Sequence, residues 1–168
     1  MSNAAALSPQ PTPDSLSIGI PEDDRKDVSD ALSAILSDTY HLLIKTHIYH
    51  WNVVGPLFHS IHVLLEEQYN DLFAATDVIA ERIRALGFLA PVGMKAPASG
   101  LDDTDAKKGS AKAMVEDLIE AHEEIVRKMR DAAEKAAEKS DMVSEDMLVG
   151  RLTVHEKTLW MLRAIVAD

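Results

Sequence analysis

The sequence predicts an all-α chain: a four-helix bundle with one long connection between the second and third helices. Three observations carry this reading. Apolar residues recur at three- and four-residue spacing through four long segments, no segment alternates with the period of two that a strand requires, and Pro- or Gly-rich breaks separate the segments. A chain of 168 residues suits one domain with a single core, and an apolar content of 46% is enough to fill it.

Residues 1–20 carry Pro9, Pro11 and Pro13 among Ser, Ala and Gln, with no Lys or Arg. Such a composition buries too little apolar surface to order itself, so a flexible N-terminal tail is expected, with the bundle domain occupying 21–168. The first helix starts at Pro21-Glu22-Asp23-Asp24, where acidic residues meet the positive end of the helix dipole. It presents Val28, Leu32, Ile35, Leu36, Leu42 and Leu43 at helical spacing and runs to about Val53. Gly55-Pro56 breaks it, and Pro56 suits the first position of a second helix reaching Leu86, with Gly87 as its cap. The inward positions of that helix are Ile61, Leu64, Leu65, Leu72, Phe73, Ile79 and Ile83. Residues 88–109 are rich in Pro, Gly, Ser and Asp and form the long connection, with a short helical turn expected near Asp102–Lys107. The third helix spans Ser110–Glu138 with Met114, Leu118, Ile125 and Met129 facing inward. The fourth, with Ser144 expected as N-cap, ends near Val166 and carries Leu148, Leu152, Leu159, Leu162 and Ile165. Helices of about 30 residues reach roughly 45 Å, longer than most globular helices.

Composition excludes several chemistries. Cysteine is absent, which removes both disulfides and thiolate metal sites. A metal must then be held by histidine, carboxylate or water, a donor set that suits iron, manganese or zinc. No apolar run reaches the roughly 20 residues of a membrane span, and no basic segment precedes an apolar one at the N-terminus, so a cytoplasmic protein without membrane contact is expected. The net charge of −11, from 28 acidic and 17 basic residues, repels nucleic acid and attracts cations. The first 24 residues contain no Lys or Arg, and Lys107, Lys108 and Lys112 form only a modest basic cluster. Direct DNA binding, which depends on Lys and Arg contacts to phosphate, is therefore expected to be weak or absent.

Five residues form a candidate metal constellation: His50, His62, Glu66, Asp77 and Glu81, with His47 nearby. His50 lies six residues before Pro56 and His62 six after it, so an antiparallel hairpin turning there sets the two imidazoles at one height. His62 and Glu66 share a helix face at i,i+4, and so do Asp77 and Glu81, a like-charged pair that a cation between them would relieve. Taken singly, each has a blander reading as a rim histidine or a solvated carboxylate, and Arg84 offers Glu81 a simple ion pair. The ordinary four-helix di-iron plan requires a Glu-x-x-His on each of two helices. The residues three before His41, His47, His50, His59, His62, His122 and His155 are Asp38, Ile44, His47, Pro56, His59, Ile119 and Leu152, none of them glutamate. A di-iron centre inside one bundle is therefore not expected. Glu66 and Asp77 stand about 16 Å apart along a single helix, too far to share an ion within one chain. If two copies of the second helix packed antiparallel about a two-fold axis, His50, His62 and Glu66 of one could meet Asp77 and Glu81 of the other, giving two equivalent sites.

The run Lys45-Thr46-His47-Ile48-Tyr49-His50-Trp51-Asn52-Val53-Val54-Gly55, then Phe58, Ile61-His62, Asp77-Val78-Ile79-Ala80-Glu81-Arg82-Ile83 and Leu86-Gly87, resembles the Dps family (DNA-binding protein from starved cells), mini-ferritins of the ferritin-like superfamily. The similarity spans about residues 25–167 and includes Leu159-Trp160. It implies a ferritin-like bundle assembled into a hollow dodecamer that oxidises Fe(II) with hydrogen peroxide or dioxygen and stores Fe(III) mineral, protecting the cell and its DNA from oxidative damage. It implies a ferroxidase site with His50, His62 and Glu66 from one subunit and Asp77 and Glu81 from its partner, where zinc or another divalent metal can substitute for iron. Glu66 is a conservative departure, since family members often have Asp there. Trp51 resembles the tryptophan that in the family lies beside the site and intercepts stray oxidising equivalents. Asp141, Glu145 and Asp146 fall where the family builds acidic pores, with compensation of the last helix's dipole as the competing reading. A DNA-binding, nucleoid-compacting role is the alternative function the family suggests, and the acidic composition argues against it.

Overall fold

The computed structural model describes residues 16–91 and 110–167. Four helices account for nearly all of them: α1 (Glu22–Asn52), α2 (Phe58–Ala85), α3 (Ala111–Glu138) and α4 (Met142–Val166), and no strand occurs among the described residues. The helical turn expected near Asp102–Lys107, and most of the expected tail, lie outside the described residues.

Two antiparallel hairpins, α1–α2 and α3–α4, pack through α1 against α3, while α2 and α4 approach each other at few points. The bundle is thus a square with one loose edge. Its core is the set of inward positions that helical periodicity picks out, among them Leu32, Ile35, Leu65, Leu72, Ile79, Leu118, Met129 and Leu148, all fully buried. At about 25 cal/mol per Å² of apolar surface removed from water, burial of this kind is the main force holding the helices together. Buried hydroxyls are satisfied within their own helix: Thr39 donates to the Ile35 carbonyl at 2.8 Å and Thr46 to that of Leu42 at 2.7 Å.

Polar ties set the register of the hairpins. Arg25, buried at the start of α1, donates to the carbonyl of Leu86 beyond the end of α2 at 2.7 Å. Asp117 on α3 accepts from both Lys45 and Tyr49 on α1, at 2.9 and 2.6 Å. On the loose edge, Arg151 of α4 grips the Asp71 carboxylate of α2 with two bonds of 3.1 and 2.7 Å.

Two expectations need correction. Ser144 does not cap α4: Asp141 does, its Oδ1 accepting from the Ser144 backbone N–H at 3.0 Å. Ser144 instead sits three residues in, where its hydroxyl donates to the other oxygen of the Asp141 carboxylate at 2.6 Å. Phe73 is not a core residue but is 64% exposed. The buried stripe of α2 runs through Leu65, Leu72 and Ile79 at seven-residue spacing, and Phe73 lies one position, about 100°, off it.

Asp141 also pairs with Arg82 of α2 at 2.6 Å, with the Asp141 side chain 1% exposed. Removing one partner of a buried pair strands the other. Asp141→Asn keeps the size and capping capacity but loses the charge, so thermal or denaturant unfolding should show a loss of about 2 kcal/mol. An unchanged midpoint would mean that the pair contributes nothing net.

Candidate metal centre

The α1–α2 turn builds the centre. Gly55 has φ of +107°, in the region open to glycine at no steric cost, and this reverses the chain within five residues between the two helices. Phe58 N–H closes onto the Gly55 carbonyl at 3.0 Å, so α2 begins at Phe58 rather than at Pro56. Val53 anchors the turn through its fully buried side chain and a 2.9 Å bond from its N–H to the Tyr49 carbonyl.

The reversal brings His50 and His62 face to face, with ring centroids 3.8 Å apart and planes 18° from parallel. Each Nδ1 lies 2.9 Å from the main-chain carbonyl of the other residue. A carbonyl can only accept, so both Nδ1 atoms carry the hydrogen and both Nε2 atoms keep a bare lone pair. One geometric fact therefore fixes two tautomers, each in the form that coordinates a metal through Nε2, with the backbone supplying the orienting bond. The bond from His62 also satisfies one of the carbonyls left without a helical partner in the last turn of α1.

Aromatic rings pack around the pair. Phe58 lies 5.1 Å from His62, and Tyr69 stands edge-on to His50 at 5.2 Å. Tyr69 also stacks on His47 at 4.2 Å, and His47 contacts Trp51 at 4.1 Å. The His47 ring centroid lies 6.1 Å from that of His50, so it belongs to the wall beside the pair rather than to the stack. Sequence reasoning did not single out Tyr69; its place seven residues after His62, on the same helix face, is the signal that could have found it.

His50 is buried and His62 half-buried, whereas Glu66, Asp77 and Glu81 are exposed on α2. Glu66 follows His62 by one turn and belongs to the histidine end. Asp77 and Glu81 stand at the other end of the helix, with exposed Phe73 between the two groups. The structure thus brings His50 and His62 together and leaves the carboxylates spread along an exposed face. Among the described residues, no three histidines or carboxylates of one chain gather closely enough to hold a metal ion. Of the pore candidates, Asp141 is buried and engaged by Arg82 and Ser144, Glu145 is half-buried, and Asp146 is exposed.

A bundle of four long helices with paired imidazoles and a row of exposed carboxylates is the arrangement of a ferritin-like protein, and the comparisons with known proteins place the chain in that class. The family model for the ferritin-like domain matches residues 29–168. DNA protection during starvation protein 2 of Bacillus anthracis is 34% identical over 84% of this chain and 97% of its own length. An uncharacterized low temperature-induced protein of Nostoc is 38% identical over 90% of this chain and 86% of the relative. Among solved structures, DpsC from Streptomyces coelicolor superposes with a TM-score of 0.82 at 26% identity, covering 96% of each chain. The Dps protein of Vibrio cholerae, a member of a broad superfamily of ferritin-like diiron-carboxylate proteins, superposes at 0.77 with 25% identity over 95% of this chain and 99% of that one. The chain belongs to the Dps mini-ferritins of the ferritin-like family, a family of iron oxidation and iron storage. No helix among the described residues is long and apolar enough to cross a membrane.

Proposed function

We propose that this protein is a ferroxidase and iron store that assembles as a hollow homododecamer, with each iron pocket completed by two subunits. The observation that carries the reading is the mutual Nδ1–carbonyl bonding of His50 and His62, which turns two bare Nε2 atoms into ligands without cost at the moment of binding. Glu66 adds a carboxylate one turn on. The partner's α2, antiparallel about a two-fold axis, supplies Asp77 and Glu81, because the rise along one helix keeps these about 16 and about 22 Å from Glu66 of the same chain. Exposed Phe73 lies between the two ligand groups on that face, where a partner would cover it. Zinc or another divalent metal fits the same nitrogen and oxygen donors.

Iron is the substrate. Two Fe(II) each give one electron to hydrogen peroxide, whose O–O bond breaks, and two protons complete two waters, so no hydroxyl radical is released. Fe(III) then hydrolyses, losing protons to water, and grows as mineral inside the shell. The chain's own residues hold the ions and keep the imidazoles aligned, while Trp51 and Tyr69 stand beside the site to intercept stray oxidising equivalents. Glu145 and exposed Asp146, at the start of α4, are candidate pore residues for Fe(II) entry. The acidic exterior makes direct DNA binding weak or absent in a protein that acts in the cytoplasm, so protection of DNA comes from removal of iron and peroxide.

The test is the stoichiometry of anaerobic oxidation. Particles eluting near twelve subunits should consume two Fe(II) per peroxide without forming a spin-trapped hydroxyl radical. Consumption of one Fe(II) per peroxide with radical release would refute the paired-iron reading.

A further inference from the structure

Beside the histidine pair, an open groove of about 430 Å³ runs between α1 and α2. Leu43, Ile44 and Ile48 of α1 give it an aliphatic surface, and Trp51 and Tyr69 add aromatic walls, both packed on the His47 ring at 4.1 and 4.2 Å. Asn70 and Phe73 form its edge on α2. Much of this surface faces water, with Trp51 62%, Phe73 64% and Ile44 38% exposed. A continuous apolar patch of this kind marks a contact surface. Its rings already pack on one another in the single chain, so little ordering remains to be done when the contact forms.

The two-subunit reading of the iron pocket says what stands opposite the groove. Glu66, Asn70, Phe73, Asp77 and Glu81 follow one another at four- and three-residue spacing and are all exposed, so they share one face of α2. Pairing Glu66 with the partner's Asp77 and His62 with the partner's Glu81 is a single antiparallel register. In that register each Phe73 stands opposite the partner's Asn70, about 2 Å along α2 from the two-fold axis. Asn70 is the edge of the groove, and its own amide is folded back onto α2, donating to the Glu66 carbonyl at 2.9 Å. A slip of four residues either way sets the phenyl ring opposite Glu66 or Ala74 instead. A two-fold contact must carry knob and socket on the same surface, and this face carries both, offset by the amount the metal register requires. A space of roughly 150 Å³ is enough to hold a benzene ring, so the groove has room for the side chain.

We propose that Phe73 sets the register of the two-subunit contact by seating its phenyl ring in the α1–α2 groove of the partner, reciprocally in both copies. This rests on the two-subunit iron pocket and adds to it the element that aligns its halves. Phe73 binds no metal; it is a positioning residue that holds Asp77 and Glu81 level with the partner's Glu66 and His62.

The test is a crystal structure of the assembled protein, with Phe73→Ala, Phe73→Leu and Val78→Ala proteins compared in solution. In the crystal, the partner's phenyl ring should lie within about 4.5 Å of Trp51 or Tyr69. Phe73→Ala particles should break up on dilution at a protein concentration at least about thirtyfold higher than wild type, the loss expected of a central aromatic anchor. Kept assembled at high concentration, they should bind Co(II) about tenfold more weakly, because the pocket halves are no longer pinned. Phe73→Leu should recover most of both losses. Val78→Ala, half-exposed about 140° round α2 from Phe73, should match wild type. A Phe73→Ala particle that resists dilution and binds Co(II) as wild type does would overturn the proposal. So would a crystal in which the partner's ring lies outside the groove or another segment of the chain fills it. Either result leaves the iron pocket standing if intact His50→Ala/His62→Ala particles lose Co(II) binding. Unchanged Co(II) binding in those particles would sink the pocket, and the register with it.

Discussion

His50→Ala/His62→Ala protein is expected to oxidise Fe(II) at least about a hundredfold more slowly than wild type under equal peroxide, since loss of merely an orienting partner of a metal ligand costs tenfold to a hundredfold and here both nitrogen ligands go. The expectation follows from the tautomers. Each ring is held by the other residue's carbonyl at 2.9 Å, so both Nε2 atoms are left free for the proposed metal. The exposed His59, three residues before His62, makes a suitable control, and His59→Ala should leave the rate unchanged. Circular dichroism and particle size separate a lost site from a lost fold, because the His62 bond also caps α1. Oxidation by the double variant at the wild-type rate would remove the pair from the mechanism.

Acid should loosen the subunit through the other histidine pair. His122 and His155 have folded pKa values near 3, lowered first by burial and then by neighbouring positive charge, including that of Arg151, with Asp71 opposing the shift at His122. In the unfolded chain they titrate near 6.5. Above about pH 6.5 neither state binds these protons and the stability is fully present. Between there and about pH 3 the unfolded chain binds protons that the folded chain does not, so stability falls as pH falls, by up to about 2.7 kcal/mol per pH unit for the two together. Denaturant midpoints at fixed protein concentration, taken from pH 7 to pH 4, check this. Wild type should lose stability steeply, and His122→Leu/His155→Leu protein should lose it less steeply by that amount. Parallel curves would show that the pair does not drive the acid response.

Much of this was legible in the sequence because helical periodicity is local. Leu65, Leu72 and Ile79 announce the buried stripe of α2, and Gly55-Pro56 announces the turn. The exposure of Phe73 was harder to read, since an aromatic one position off an apolar stripe looks like part of it. The Asp141 cap was hidden because Ser144 is an equally good capping residue and only the tie to Arg82 selects between them. At the site, equal spacing about Pro56 predicted that His50 and His62 would meet. Their reciprocal bonds to main-chain carbonyls depend on the exact hairpin register, which no spacing rule supplies. The pairing of His122 with His155, 33 residues apart on α3 and α4, is a tertiary fact with no local signature.

The complementary-halves claim is tested most directly by the ferroxidase rate of mixed particles, made by unfolding and co-assembling His50→Ala/His62→Ala chains with Asp77→Ala/Glu81→Ala chains in equal amounts. Each parent lacks one half of every pocket and should be inactive alone. Random pairing makes half the two-fold contacts mixed, and each mixed contact keeps one intact pocket of its two, so about a quarter of the wild-type rate should return. Mixed particles as inactive as their parents would show that the histidines and the carboxylates do not serve one pocket across the interface.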